Sequence, residues 1–136
     1  MGEKMGTQQD DLAVVADFID AFNAIDVDRV MAHFHADAVY HNMPMAPVSG
    51  TEAIRGVIEG FTGLATEIDW QVRHAASPAP GVVLNERVDR FRIQGQWLEL
   101  PVMGTFELAD GKITAWRDYF DLPTFQKRLA EIQGGS

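Results

Sequence analysis

Apolar residues recur at helical spacing in four stretches of the chain and alternate with polar residues in five others. From Asp10 or Asp11 to about Ala24, Leu12, Val15, Ala16, Ile19 and Phe22 give one stripe, the pattern of an amphipathic helix. Asp26 is placed to cap a short second helix that buries Val27, Val30, Met31 and Phe34. Ala38–Met43 reads as a strand, halted by Pro44, and Pro44–Gly50 reads as a turn-rich loop. Thr51 is placed to cap a third helix with Ile54, Val57, Ile58 and Phe61 on its apolar side, ending near Gly63.

The second half alternates with period two. Ile68, Trp70 and Val72 mark a strand over 68–75, and Ser77–Gly81 reads as a break. Val82–Ile93, Trp97–Leu108 and Lys112–Phe120 then form a meander joined by Gln94-Gly95-Gln96 and Ala109-Asp110-Gly111, the Asp-Gly pair being a strong hairpin signal. Asp121 and Pro123 open a last helix bearing Phe125, Leu129 and Ile132. Helices segregated from antiparallel strands indicate an α+β fold rather than α/β. We expect a loose arm over residues 1–10 and one domain over 11–136, without repeats or linkers.

Composition narrows the function. A net charge of −9 argues against nucleic acid and anionic membranes as partners, because both attract basic surfaces. The absence of cysteine removes disulfides, thiolate metal sites and cysteine nucleophiles. No apolar run is long enough to span a bilayer, and no basic-then-apolar leader opens the sequence, so a cytoplasmic protein is expected.

Three spots put polar groups on faces that could point inward. On Asn85-Glu86-Arg87-Val88-Asp89-Arg90-Phe91, alternation places Asn85, Arg87, Asp89 and Phe91 on one side. Tyr40 and Asn42 share a face of the first strand, and Asp118 shares one with Trp116 and Phe120. If Arg87 lies between Asp89 and Asp118, two acids and one guanidinium leave one uncompensated charge. One proton neutralises the cluster, giving a coupled acid and base. Singly, each spot has a plainer account: a surface ion pair, a strand-end cap, or side chains bonded to loop backbone. Leu100 and Val102 share a face and suit either a pocket wall beside Trp116 and Phe120 or ordinary core. His33, His35 and His41 point different ways, which disfavours a metal site, and Glu67, Asp69 and Glu99 read as surface charges.

Tyr40-His41-Asn42-Met43-Pro44, Glu86-Arg87-Val88-Asp89 and Gly111–Asp121, with its Trp116-Arg117-Asp118-Tyr119-Phe120-Asp121, together resemble the limonene-1,2-epoxide hydrolase family, over nearly the whole chain. The resemblance implies a strongly curved, mostly antiparallel mixed sheet with helices over its concave face, enclosing a deep pocket: the nuclear-transport-factor-2-like, cystatin-like cone. It also implies a homodimer, no cofactor, and a small apolar epoxide and water as substrates. By motif, Asp118 would deprotonate a water held by Tyr40 and Asn42, Asp89 would protonate the epoxide oxygen, and Arg87 would bridge the acids. Leu100, Val102, Phe120 and Phe125 would line the pocket. Steroid isomerases and polyketide cyclases share the fold, as do members that only bind hydrophobic ligands, so these stand as the rival readings.

Overall fold

A computed structural model describes residues 7–134. Four helices, α1 (Gln8–Asn23), α2 (Val27–Met31), α3 (Thr51–Thr62) and α4 (Leu122–Gly134), accompany six strands. The strands are β1 (Phe34–Asn42), β2 (Val48–Ser49), β3 (Glu67–Ala79), β4 (Val82–Ile93), β5 (Gln96–Ala109) and β6 (Lys112–Tyr119). They form one curved sheet in the order β2-β1-β6-β5-β4-β3. Only the β1–β6 pair among them is parallel. Register shifts in β3 and between β5 and β6 add local twist to the long strands. The α+β class and the curved, mostly antiparallel sheet expected from the sequence are what the fold has.

Local chemistry explains the element ends. Thr7 and Asp10 form a reciprocal capping box at the start of α1, so Gln8–Asp10, expected in the arm, are helical. The remainder of that arm, residues 1–6, lies outside the described residues. Gly50, not Thr51, caps α3; its φ of 86° suits glycine, and no side chain bonds the helix end. Both meander turns have two residues at positive φ, Gln94-Gly95 and Asp110-Gly111, the mirror-image turns whose twist matches the strands. β1 begins earlier than expected, at Phe34, and Val48-Ser49 form the short β2 inside the expected loop. β3 runs through the expected break to Ala79. It is an edge strand, where Pro78 removes no ladder hydrogen bond from a neighbour. Val72, expected inward, is exposed beside a bulge.

Aromatic rings fill the space between α1 and the sheet. Phe18 is wholly buried and meets Phe22, Phe34, Phe106 and Trp116 edge-on, while Phe22 stacks on Trp70 at 4.2 Å between ring centroids. Asn23 at the end of α1 grips the backbone of Trp70 twice: Trp70 N donates to its Oδ1 at 2.7 Å, and its Nδ2 donates to Trp70 O at 3.2 Å. Buried Asp11 accepts from Gly81 N at 2.7 Å and fixes α1 to the β3–β4 turn. The helix is thus pinned at both ends across the sheet. Beyond it, toward α3 and α4, the inner face of the sheet is left open.

Candidate active site

β4 buries every second residue from Val83 to Ile93, which takes Asn85, Arg87, Asp89 and Phe91 inward. Three of these are polar, and none is more than 3% exposed, which is the burial an ion pair tolerates only with full hydrogen bonding. Arg87 satisfies it. Its Nε donates to Asp89 Oδ1 at 2.9 Å, and its Nη2 donates to Asp89 Oδ2 at 2.9 Å and to Asp118 Oδ2 at 2.8 Å. Its Nη1 donates to Asn85 Oδ1 at 2.9 Å. Arg87 thus lies between the two carboxyl groups, the position considered as a condition in the charge argument and implied by the family resemblance.

The sheet register brings the distant segments together. Asn85 lies opposite Gly104, Gly104 opposite Asp118, and Asp118 beside Asn42, so one row of residues crosses four strands. Tyr40 lies beside Trp116 one step along, and their rings stack at 4.1 Å. The indole Nε1 of Trp116 donates to Asp118 Oδ1 at 2.7 Å. Each carboxyl group thus accepts two hydrogen bonds, Asp118 from Arg87 and Trp116 and Asp89 both from Arg87.

Burial, with a smaller push from Asp118, raises Asp89 to about 6 against the pull of Arg87. Arg87 is held firmly protonated by the two carboxylates despite its burial. Burial, reinforced by Asp118, pushes the Tyr40 phenol well above its ordinary value, with Asn42 working the other way through a hydrogen bond, so Tyr40 remains a neutral donor and acceptor. Burial thus leaves Asp89 a carboxyl that gives up its proton only near pH 6.

Tyr40, Asn42, Asp89 and Asp118 form the polar end of a cavity of about 420 Å³. Apart from Gln126 the rest is apolar, including Leu100 and Val102 from β5, Val57 and Phe61 from α3, and Phe120, Phe125 and Leu129 from around α4. Leu100, Val102, Phe120 and Phe125 thus lie where the sequence placed them. Trp116 does not. It is wholly buried beside Tyr40 and turns its N–H to Asp118, which makes it a hydrogen-bonding partner of the cluster rather than cavity wall.

Sequence reading missed several contributors. Asn85 was on the right face without a role. Gly104 occupies the centre of the cluster: a Cβ there would lie 2.8 Å from Asn85 Oδ1, 2.9 Å from Asp118 Oδ1, and closer still to Arg87 Nη1. A glycine inside a strand is the available clue to such a close approach. Trp70 lines the cavity with its indole N–H buried and without a conventional acceptor among the described residues, and Met45 reaches the cavity from the loop after β1. His41 ties that loop down through a 2.8 Å contact between Nε2 and Met45 O, outside the cavity lining. His33 pairs with Asp17 at 2.8 Å, and Glu67, Asp69 and Glu99 pair with Arg92 or Arg90, all away from the cluster. Among the described residues no three His, Asp or Glu side chains converge as a metal-ligand set, and no helix is long and apolar enough to cross a membrane.

A curved sheet closed by helices over an apolar cavity, with a buried polar cluster at one end, defines a nuclear-transport-factor-2-like α+β protein. A protein with a ketosteroid isomerase-like fold from Catenulispora acidiphila shares that fold at a TM-score of 0.73 and 21% identity, covering 82% of this chain and 88% of the other. The limonene-1,2-epoxide hydrolase catalytic domain matches residues 9–131, and the chain belongs to that family. It is 33% identical over 115 residues to the epoxide hydrolase EphG of Mycobacterium tuberculosis, spanning 82% of this chain and 74% of that one. The solved structure of a limonene-epoxide-hydrolase-like epoxide hydrolase from M. tuberculosis matches with a TM-score of 0.77 at 26% identity, covering 95% of this chain and 98% of the other.

Proposed function

We propose that this chain is an epoxide hydrolase that adds water to a small, mostly apolar epoxide, limonene-oxide-like or cyclic, and forms a vicinal diol in one step without a covalent intermediate or a cofactor. The observation that carries this reading is Arg87 bridging the carboxyl groups of Asp89 and Asp118 at the polar end of a largely apolar cavity. Tyr40 and Asn42 hold the water. Asp118 takes one of its protons as the oxygen attacks an epoxide carbon. As the carbon–oxygen bond of the ring breaks, the leaving oxygen takes the proton of Asp89. Asp89 ends ionised and Asp118 protonated, and returning that proton resets the pair. Ring strain supplies driving force, so the protein's part is placement of acid and base on the two sides of the substrate and exclusion of bulk water.

An isomerase or cyclase would need one base and an oxyanion donor, for which Asp118 and Tyr40 would suffice. The bridged second acid is unused in that chemistry, and a purely ligand-binding protein would use neither acid. A single turnover with limonene oxide or cyclohexene oxide in oxygen-18 water separates the cases. Label in the first-turnover diol supports direct attack by water, while unlabelled diol means a carboxylate oxygen was transferred. No diol across an epoxide panel favours the isomerase, cyclase or binding readings. Asp89→Asn and Asp118→Asn are each expected to abolish turnover and leave the fold intact, and near-full activity in either removes that residue from the mechanism.

We also propose a cytoplasmic homodimer. The face of the sheet turned away from the helices supports it, since Met103 and Tyr119, opposite each other on β5 and β6, are both more than 40% exposed there. Light scattering that gives a monomer mass at micromolar concentration would refute the dimer.

A further inference from the structure

Arg87 must be aimed, and the two acids alone do not aim it. Asp89 covers its Nε edge and shares Nη2 with Asp118, so both carboxylates lie toward one side of the guanidinium. Nη1 points the other way, and its acceptor is Asn85 Oδ1 at 2.9 Å. Asn85 is 2% exposed, two residues before Arg87 on the same face of β4, and opposite Gly104. Gly104 leaves the hollow in which Nη1 and Asn85 Oδ1 meet.

The chemistry of position 85 is restrictive. A hydrophobic side chain would leave a buried cationic N–H without an acceptor, and the guanidinium could turn toward one carboxylate at the expense of the other. A carboxylate would accept the bond and add a third negative charge to a cluster with one cation. An amide accepts without adding charge. We propose that Asn85 is a positioning residue, a neutral third acceptor that locks Arg87 between Asp89 and Asp118 and so keeps one shared proton in the cluster. Its link to turnover rests on the epoxide hydrolase reading; its link to the titration of Asp89 does not.

The test compares the wild-type chain with Asn85→Asp and Asn85→Leu. Aspartate side-chain carboxyls are labelled with carbon-13, and the Asp89 resonance is assigned by its loss in Asp89→Asn. Asn85→Asp keeps shape and acceptor but adds charge, so the titration of Asp89 should move upward by on the order of one unit, because a like charge within about 6 Å disfavours ionisation. Asn85→Leu, similar in size but without an acceptor, should lower kcat for epoxide hydration about tenfold, the loss of a hydrogen bond to a charged group, with KM changed less than about twofold. A side chain that merely fills space predicts a wild-type kcat in Asn85→Leu, whereas the upward shift in Asn85→Asp checks that position 85 shares the electrostatics of the cluster. An unmoved Asp89 titration in Asn85→Asp overturns the proposal, as does a wild-type kcat in Asn85→Leu. If Asn85→Leu does not fold, the near-isosteric Asn85→Asp titration decides alone. If the wild-type chain forms no diol, the proposed function fails, while a shifted Asp89 titration still upholds the role of Asn85.

Discussion

Trp116 Nε1 donates to Asp118 Oδ1 at 2.7 Å, from a ring that also stacks face to face on Tyr40. One side chain thereby orients the proposed base and packs against a proposed water ligand. Trp116→Phe separates the two duties, since it keeps an aromatic face toward Tyr40 and removes the N–H. A hydrogen bond to a charged group is worth about 1.5–3 kcal/mol, so kcat should fall roughly ten- to a hundredfold. Unchanged steady-state kinetics would show that the bond does not serve the reaction.

Gly104 is the position least tolerant of any added atom. The methyl group of Gly104→Ala would enter the space that Arg87 Nη1, Asn85 Oδ1 and Asp118 Oδ1 share. These atoms belong to a hydrogen-bonded network on β4 and β6, the strands on either side of Gly104, so none can withdraw without breaking a buried hydrogen bond. Overpacking of a buried site costs about 1–3 kcal/mol, and a lost buried bond adds to it. Gly104→Ala should lower the urea midpoint accordingly and abolish diol formation. A variant with the wild-type midpoint and rate would mean that the guanidinium has room to lie elsewhere.

How much of this was legible in the chain follows from geometry. Alternation is a local property, so the shared face of Asn85, Arg87 and Asp89 and that of Trp116 and Asp118 could be read directly. Their convergence depends on register between strands some thirty residues apart, which charge counting and the family resemblance suggested and spacing alone did not. Gly104 offered only the general clue of a glycine inside a strand, because its importance lies in what sits opposite it. Trp116 was on the right face, but whether its indole meets the cavity or the carboxylate depends on a rotamer. Pro78 reads as a breaker in sequence and is harmless on the edge strand where it sits.

Asp89 should make stability and activity depend on pH in the same direction. Its value of about 6 lies above the roughly 3.9 of an unfolded aspartate. The folded state therefore binds this proton more tightly, and its stabilising effect is complete below about pH 4 and lost as pH rises through about 6. A shift of this size corresponds to about 3 kcal/mol. Asp89→Asn removes the titration, so the difference in unfolding free energy between wild type and Asp89→Asn should change by about that amount between pH 4 and pH 7. Over the same range the wild-type kcat/KM should begin to fall above about pH 6, as the acid loses its proton. Parallel stability curves would place the proton elsewhere in the cluster.

Arg87 separates the demands of folding from those of catalysis. It is wholly buried, and both of its carboxylate partners are nearly so. Replacing one member of a buried ionic cluster leaves the others uncompensated, at about 3–5 kcal/mol. Arg87→Met should therefore destabilise the protein by that order and stop turnover, with two acids left facing each other in an apolar setting. Neutralising those acids as well should remove most of the penalty, because a buried charge network can be replaced by neutral groups at little net cost. The triple variant Arg87→Met, Asp89→Asn, Asp118→Asn should thus recover stability lost in the single variant while remaining inactive in the diol assay. If the triple variant is no more stable than Arg87→Met, the damage comes from losing the guanidinium's contact with the face of Trp70, whose ring centre lies 5.1 Å from the guanidinium carbon, rather than from unpaired charge.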